Sequence, residues 1–458
     1  MLFVAAAFGA GIALRWGGST AAWVALVLLI AASAGLGFRF GPSWANACLL
    51  LLLAGAGALR AEVDGRAVGP ALPGGVAVVE GTVVSDPALS RDGRMVTAWF
   101  RMESSRGLMQ ARLPAGAGGF EYGESLRLSG MLREGRKNLT APGTRVPGTQ
   151  FGRRFDERRW LWIHRAAGVL TVPDAEGVTR LNHKEAGPWV RYRRWVARLR
   201  RALANQGRAL LQAEEAGMLE ALLLGEARGI RPETWEAFRK TGTVHVLVVS
   251  GSHVGLIGLI GLTLLAVFRT PLAARYLLLA GMLVTYCLLA GINPPIVRAT
   301  LTGLLLCWGK GRGIEVSPLN LLGAAAAAIL IAQPRALADP SFQLSFAAVA
   351  GVLLVNGWKT KNRFLKAAAV SCGAWLATAP LIAWHFHTFS PMTPLANLVV
   401  VPWASLLIAD GFLACGAGLL APAAAPSFAA AFAWLSRGLL FCVGRAAGLP
   451  GVCWDLKI

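Results

Sequence analysis

Acidic residues almost vanish from the second half of this chain. After Gly242 only Glu315, Asp339, Asp410 and Asp455 remain. That half is therefore basic, as is the 60–242 region before it. The 60–242 region contains no cysteine, so it has no disulfide of its own. The seven cysteines form no CxxC pair, which argues against a zinc ribbon. Histidine is scarce, with six residues and no His-x-His-x-Asp-His run. A binuclear hydrolase site is therefore not expected. A phosphate loop is missing too: in Gly303–Gly311 the spacing is one residue too long, and Gly311 stands where Ser or Thr would hold magnesium. The chain reads as a non-enzyme, with no cofactor and no metal expected.

What is present is hydrophobic sequence. Apolar residues make up 55% of the chain and charged residues 15%. Long uncharged runs of this kind define membrane proteins with several spans. Three apolar segments, 2–14, 21–38 and 45–59, open the chain. Spans are predicted near 243–268, 273–291, 294–309, 317–333, 341–357, 367–384, 394–420 and 427–445. Basic loops at Arg269 and Arg275, Lys310 and Arg312, and Lys359–Lys366 lie two spans apart. The positive-inside rule makes their side cytoplasmic. The N-terminus is then cytoplasmic and residues 60–242 are extracytoplasmic. Lys plus Arg number 45 against 24 Asp plus Glu. That balance fits either loop bias and anionic lipid, or a polyanionic substrate.

Between Arg60 and Gly242 the pattern changes. Val76–Ser85, Arg94–Ser104, Leu108–Leu113, Glu124–Leu132 and Gly168–Val172 alternate with period two and read as strands. Asp92-Gly93 suits a tight turn. Five short strands suggest a small barrel of OB type. Barrels of this type use basic grooves and aromatic rings to hold single-stranded nucleic acid. Arg91, Arg94, Arg101, Arg106, Arg112 and Arg127, with Trp99 and Phe100, are the candidates, a solvated face over buried rings being the plainer alternative. Phe151–Arg165 is basic and aromatic, as at a headgroup surface. Arg191–Leu224 reads as a basic amphipathic helix along the membrane, and Arg231–Lys240 as a short helix opened by Pro232.

The stretch Thr241–Gly255 starts the apolar half and carries His245, Ser250, Ser252 and His253. On a helix His245, Val249 and Ser252 share one face. Polar groups inside hydrocarbon cost roughly 2–3 kcal/mol when ionised and usually face a bundle interior or a wet cavity. Arg298 follows Asn293-Pro294-Pro295, about one turn inside a span. It either snorkels to the interface or offers a guanidinium to phosphates. Gln343 and Ser345 mark another span entry, and Asn397 and Pro402 interrupt a third. Several polar or broken helices are what a transport path needs. His385-Phe-His387 reads as a metal pair or, with Trp384 and Phe389, an interfacial belt. Ser250 also admits an intramembrane serine hydrolase, given a histidine within reach. A small-solute or lipid-linked transporter is a further alternative.

Taken in order, these segments resemble the ComEC family of bacterial competence proteins. The resemblance runs through Leu222-Leu-Leu-Gly225-Glu226, Phe238, Thr241-Gly242, His245, Val249-Ser250-Gly251-Ser252-His253-Val254, Pro294-Pro295, Val297-Arg298, Pro340–Phe346, Asn397 and Pro402. Ser252 stands where the family usually has Leu. The region upstream, with Phe155-Asp156, is similar to the family's outer OB-like domain. The resemblance implies an α-helical polytopic membrane protein with an inserted OB-like barrel. Its divisions fall at 1–59 for N-terminal helices, 60–182 for the barrel, 183–242 for surface helices and 243–458 for the channel domain. It also implies inward passage of single-stranded DNA during transformation. His245, Ser250, Ser252, His253, Arg298, Gln343, Ser345 and Asn397 would line the path. A separate nuclease, DNA receptor and cytoplasmic helicase or motor would be partners, with room for a homo-oligomer. The family's metallo-β-lactamase-like domain and its outer cysteine pair are expected to be missing here.

Overall fold

The computed structural model describes residues 57, 74–90, 93–103, 108–117, 119–134, 157–181, 187–358 and 360–456. The opening apolar segments (residue 57 apart), Arg91, Arg106 and Phe155-Asp156 lie outside these residues. Two compact units divide the described chain. The first holds residues between Ala7 and Ala197 together with Leu330–Asp339; the second holds Arg198–Ile329 and Pro340–Ile458.

The first unit is built on a barrel. Its strands are β1 (Gly75–Val83), β2 (Ala88–Leu89), β3 (Met95–Met102), β4 (Leu108–Pro114), β5 (Ser125–Arg133), β6 (Ala166–Thr171) and β7 (Val178–Arg180). All five expected strands form; β2 and β7 are short additions. The order β1-β3-β4-β6-β5 closes because β5 pairs back onto β1. All these neighbours are antiparallel except β4 and β6. Closure removes open sheet edges. Strand alternation explains the core. In β5, Leu126, Leu128 and Leu132 point inward while Arg127 and Met131 point out. They meet Val83, Phe100, Met109, Leu113 and Leu170 from the other strands. Gly93 takes the positive φ of 69° that its turn requires.

A helix, α1 (Glu157–Ile163), precedes β6. Glu157 is fully buried, and Arg133 reaches it with two hydrogen bonds of 2.6 and 3.0 Å. A buried carboxylate is tolerated only with such partners. The segment Pro334–Ala338, a 3-10 turn, packs on α1. Arg335 donates to the Trp162 carbonyl at 2.7 Å and lies 4.8 Å over the Trp162 ring. Gln333 donates to the Ile163 carbonyl at 2.9 Å. These bonds tie the segment to the barrel helix.

The basic helix expected over Arg191–Leu224 is two helices, α2 (Pro188–Leu210) and α3 (Ala213–Leu224). Gln212 breaks them with an extended backbone. Nor is α3 a surface helix, because Leu219, Leu222 and Leu223 are fully buried. Its sequence is apolar on nearly every side, so no face suits water. Its acids are held by guanidinium groups: Glu220 by Arg208 at 2.6 Å, Glu215 by Arg437 at 2.8 Å and Glu214 by Arg231 at 3.1 Å. The next helix is α4 (Pro232–Lys240), with Pro232 in its first turn as expected.

The apolar half forms α5 (Gly251–Val267), α6 (Leu272–Leu289), α7 (Pro294–Gly311), α8 (Pro318–Ala332), α9 (Pro340–Asn356), α10 (Arg363–Phe386), α11 (Thr393–Leu420) and α12 (Ala425–Ala447). Of these, α6, α10, α11 and α12 are long and apolar enough to cross a membrane. A two-stranded ribbon joins β8 (Thr388–Phe389) to β9 (Trp454–Asp455). The protein is thus a helical membrane protein carrying a small OB-like barrel. One expectation is corrected: residues 243–250 are not helical. They form a 3-10 turn at Val244–Val246 and an extended Ser250. His245 therefore shares no helix face with Ser252.

Candidate functional site

The start of α5 is fixed by its own sequence. Ser250 is the N-cap, with φ −122° and ψ 179°. It forms a reciprocal capping box with His253, whose Nδ1 accepts the Ser250 N–H at 3.2 Å. Such a cap satisfies two backbone donors that a helix start leaves free. The Ser250 hydroxyl also lies 3.1 Å from His253 Nδ1 and 2.8 Å from the Ser252 hydroxyl. His253 is 1% exposed, and its Nε2 has no hydrogen-bond partner. The Ser–His contact expected of a hydrolase is thus a local cap between neighbours on one turn.

Arg298 approaches this cap from α7. A β-carbon built on Gly251 would lie 2.8 Å from Arg298 Nη2 and 3.5 Å from Ala299 Cβ. Glycine at the first helical position is what admits the guanidinium. Arg298 Nε donates to the Ser345 hydroxyl of α9 at 2.6 Å. The same guanidinium carbon lies 5.7 Å over the Phe346 ring. Two residues before Ser345, Gln343 Oε1 lies 2.8 Å from His385 Nε2 at the end of α10. So the start of α5 meets the second turns of α7 and α9. Ser250, Ser252, His253, Arg298 and Ser345 form one polar layer within an apolar bundle, and Gln343 forms its own pair with His385 at the last turn of α10.

Two more candidates stand apart from that layer. His245 is exposed in the 3-10 turn ahead of α5. Asn397 sits in the second turn of α11, where its Oδ1 is buried without a partner. His385 was legible only as a metal or belt residue; its role as the partner of Gln343 crosses 42 residues of sequence. Among the described residues no group of His, Cys, Asp and Glu gathers as a metal site.

The barrel arginines are dispersed. Arg112 lies 3.5 Å from Glu157, and Arg127 pairs with Glu80 at 2.5 Å. Arg94 and Arg101 are exposed on β3 and just before it. Trp99 stacks at 5.1 Å on Trp160 and at 5.5 Å on His164 of the adjacent turn. Phe100 points into the core instead.

Two features also explain the Leu-Leu-Gly-Glu motif. Gly225 ends α3 at φ 72° with its N–H on the Ala221 carbonyl at 3.2 Å, a left-handed cap, and the Glu226 N–H bonds to the Glu220 carbonyl at 3.1 Å. Arg200 then bonds both the Leu224 carbonyl and Glu226 at 2.9 Å.

A helical membrane bundle with a five-stranded barrel unit and a partly buried polar layer at its helix starts defines the class. Within that class, a family model described as competence protein matches residues 222–457. The chain belongs to this family of competence proteins, the ComEC family. ComE operon protein 3 of Bacillus subtilis (strain 168) is 26% identical over 332 residues, covering 69% of this chain and 39% of that protein. Competence protein ComA of Neisseria gonorrhoeae is 29% identical over 291 residues, covering 60% of this chain and 40% of that protein. An uncharacterized protein of Aquifex aeolicus (strain VF5) is 38% identical over 195 residues, covering 41% of this chain and 44% of that protein. The chain thus spans about two fifths of the length of these curated relatives. No solved structure matches the chain.

Proposed function

We propose that this chain is an inner-membrane component of DNA uptake, passing single-stranded DNA toward the cytoplasm during transformation. The observation that carries this reading is the polar layer: Arg298 joins the α5 cap to Ser345 inside an otherwise apolar bundle. A cation held there with no acidic partner among the described residues suits a polyanion better than a neutral solute. The name of one relative, competence protein ComA, agrees with this use.

The same reading puts residues 60–242 outside the cytoplasm and the N-terminus within it, with the divisions at 59, 182 and 242 given above. The connection between α8 and α9 supports it. That connection is one span removed from the basic loop on either side of it, and it holds the barrel helix through Gln333 and Arg335. The exposed Arg101, two residues along β3 from Trp99 and so on its face of the strand, is the barrel's best-placed DNA contact. A nuclease, a DNA receptor and a cytoplasmic motor would act with the chain, and several copies would assemble if one bundle is too narrow.

The test is transformation in a strain carrying only this gene's Arg298→Gln allele. Uptake of labelled DNA is expected to fall at least tenfold while the protein stays in the membrane fraction. Undiminished uptake removes Arg298 from the path.

A further inference from the structure

Arg298 presents an electrostatic problem. It is 8% exposed, and among the described residues no carboxylate pairs with it. Its Nε is used by Ser345. Its Nη2 is set against the first residue of α5, whose helix carries 17 residues. A helix start bears about half a positive charge, because its first N–H groups lack acceptors. The Ser250 and His253 capping box leaves the Gly251 and Ser252 N–H groups outside it. Two positive ends therefore face each other in an apolar surrounding. Among the described residues no carboxylate neutralises them, and an anion between them would.

We infer that Arg298, the Gly251 and Ser252 N–H groups and the Ser252 hydroxyl form a binding site for one phosphodiester group. This rests on the DNA-passage reading for its biological source, though the same chemistry is carried by a phospholipid headgroup. The planar guanidinium offers paired donors to two phosphate oxygens, and the helix start offers two more. Ser252 is exposed, which gives the site an open side. Gly251 is required because a β-carbon would occupy the place of Nη2. The Ser345 hydroxyl holds Nε and so fixes the plane of the fork.

The full chain in maltoside micelles tests this, with Cys372 and Cys442, the exposed thiols among the described residues, and Cys48 replaced by Ser. Maleimide labelling of the Ser252→Cys variant is followed with three probes. These are a short thymidine oligonucleotide, its uncharged methylphosphonate analogue and a short-chain phosphatidylglycerol. The oligonucleotide is expected to slow labelling at least fivefold and the analogue not at all. Adding Arg298→Gln should abolish the slowing, Arg298→Lys should keep part of it, and Gly251→Ala should reduce it several-fold. Protection by phosphatidylglycerol alone keeps the phosphodiester site and removes this contact from DNA passage. Equal protection by the uncharged analogue overturns the site, as does protection that survives Arg298→Gln. Should Arg298→Gln not fold, the charged and uncharged oligomers on the Arg298 chain still decide. Loss of uptake on Arg298→Gln without any protection by the charged probes would leave DNA passage standing and the phosphodiester site refuted.

Discussion

Single residues carry unequal burdens, and the chain's sequence advertises only some of them. Gly225 is one that it does advertise. Its φ of 72° is costly for any residue with a β-carbon, and that carbon would lie 2.5 Å from the Ala290 carbonyl oxygen. Gly225→Ala is expected to cost about 2–3 kcal/mol, read as a lowered thermal midpoint in detergent. Glu236 is one that it hides. Arg239, three residues on, donates to it at 2.7 and 2.8 Å and also reaches Asp455 at 3.1 Å. The hydrogen bond from Arg239 holds the Glu236 carboxyl below its ordinary value of 4.5, against the opposing effect of burial. A depressed folded pKa adds stability that is complete above the unfolded value and fades as pH falls through the folded one. The attachment of α4 to the C-terminal ribbon should therefore hold at neutral pH and loosen below about pH 4.5. Amide exchange across Trp454 and Asp455 measures this, and Glu236→Gln should remove the acid dependence. Both carboxylates are largely exposed, so the effect is local.

Elements were legible where one physical signal dominated. Period-two alternation marks the barrel strands, and Leu126, Leu128 and Leu132 bear it out. Hydropathy alone marks α6, α10, α11 and α12. It fails at residues 243–250, since an apolar run says nothing about where a helix begins. The start is set by Ser250 with His253, a capping pair using a histidine in place of the usual acid. Charge also misled over Arg191–Leu224. The arginines belong to α2, whereas α3 hides its glutamates in ion pairs that become visible only once Arg208, Arg231 and Arg437 are near. The meeting of Arg298 with Ser345 was legible as polarity within spans and illegible as contact, because 47 residues separate them. At this scale the 3-10 turn beside α1 gives a further expectation. Arg335→Ala removes a hydrogen bond and a ring contact from Trp162. It should weaken α1 by about 1–3 kcal/mol, seen as faster exchange across Glu157–Ile163.

For the whole molecule, the orientation is the quantity most open to measurement. Gly187 is exposed beside the barrel unit, and Glu315 is exposed between α7 and α8. With the exposed thiols replaced, Gly187→Cys should react with an impermeant maleimide in intact spheroplasts. Glu315→Cys should react only after permeabilisation; the reverse pattern would invert the membrane orientation proposed above. The bundle also has an internal grain. Gly351 and Gly373 let α9 and α10 touch backbone to backbone, and their side-chain-free surfaces leave no room for slippage. Those two helices thus travel as one plank. The α5–α7 group is a second plank, in which Leu283 of α6 reaches Gly303 of α7. Across the joint between the planks stretch the Arg298–Ser345 bond and the guanidinium over Phe346. That bond is therefore a polar stitch between two apolar slabs, drawn where their helices begin.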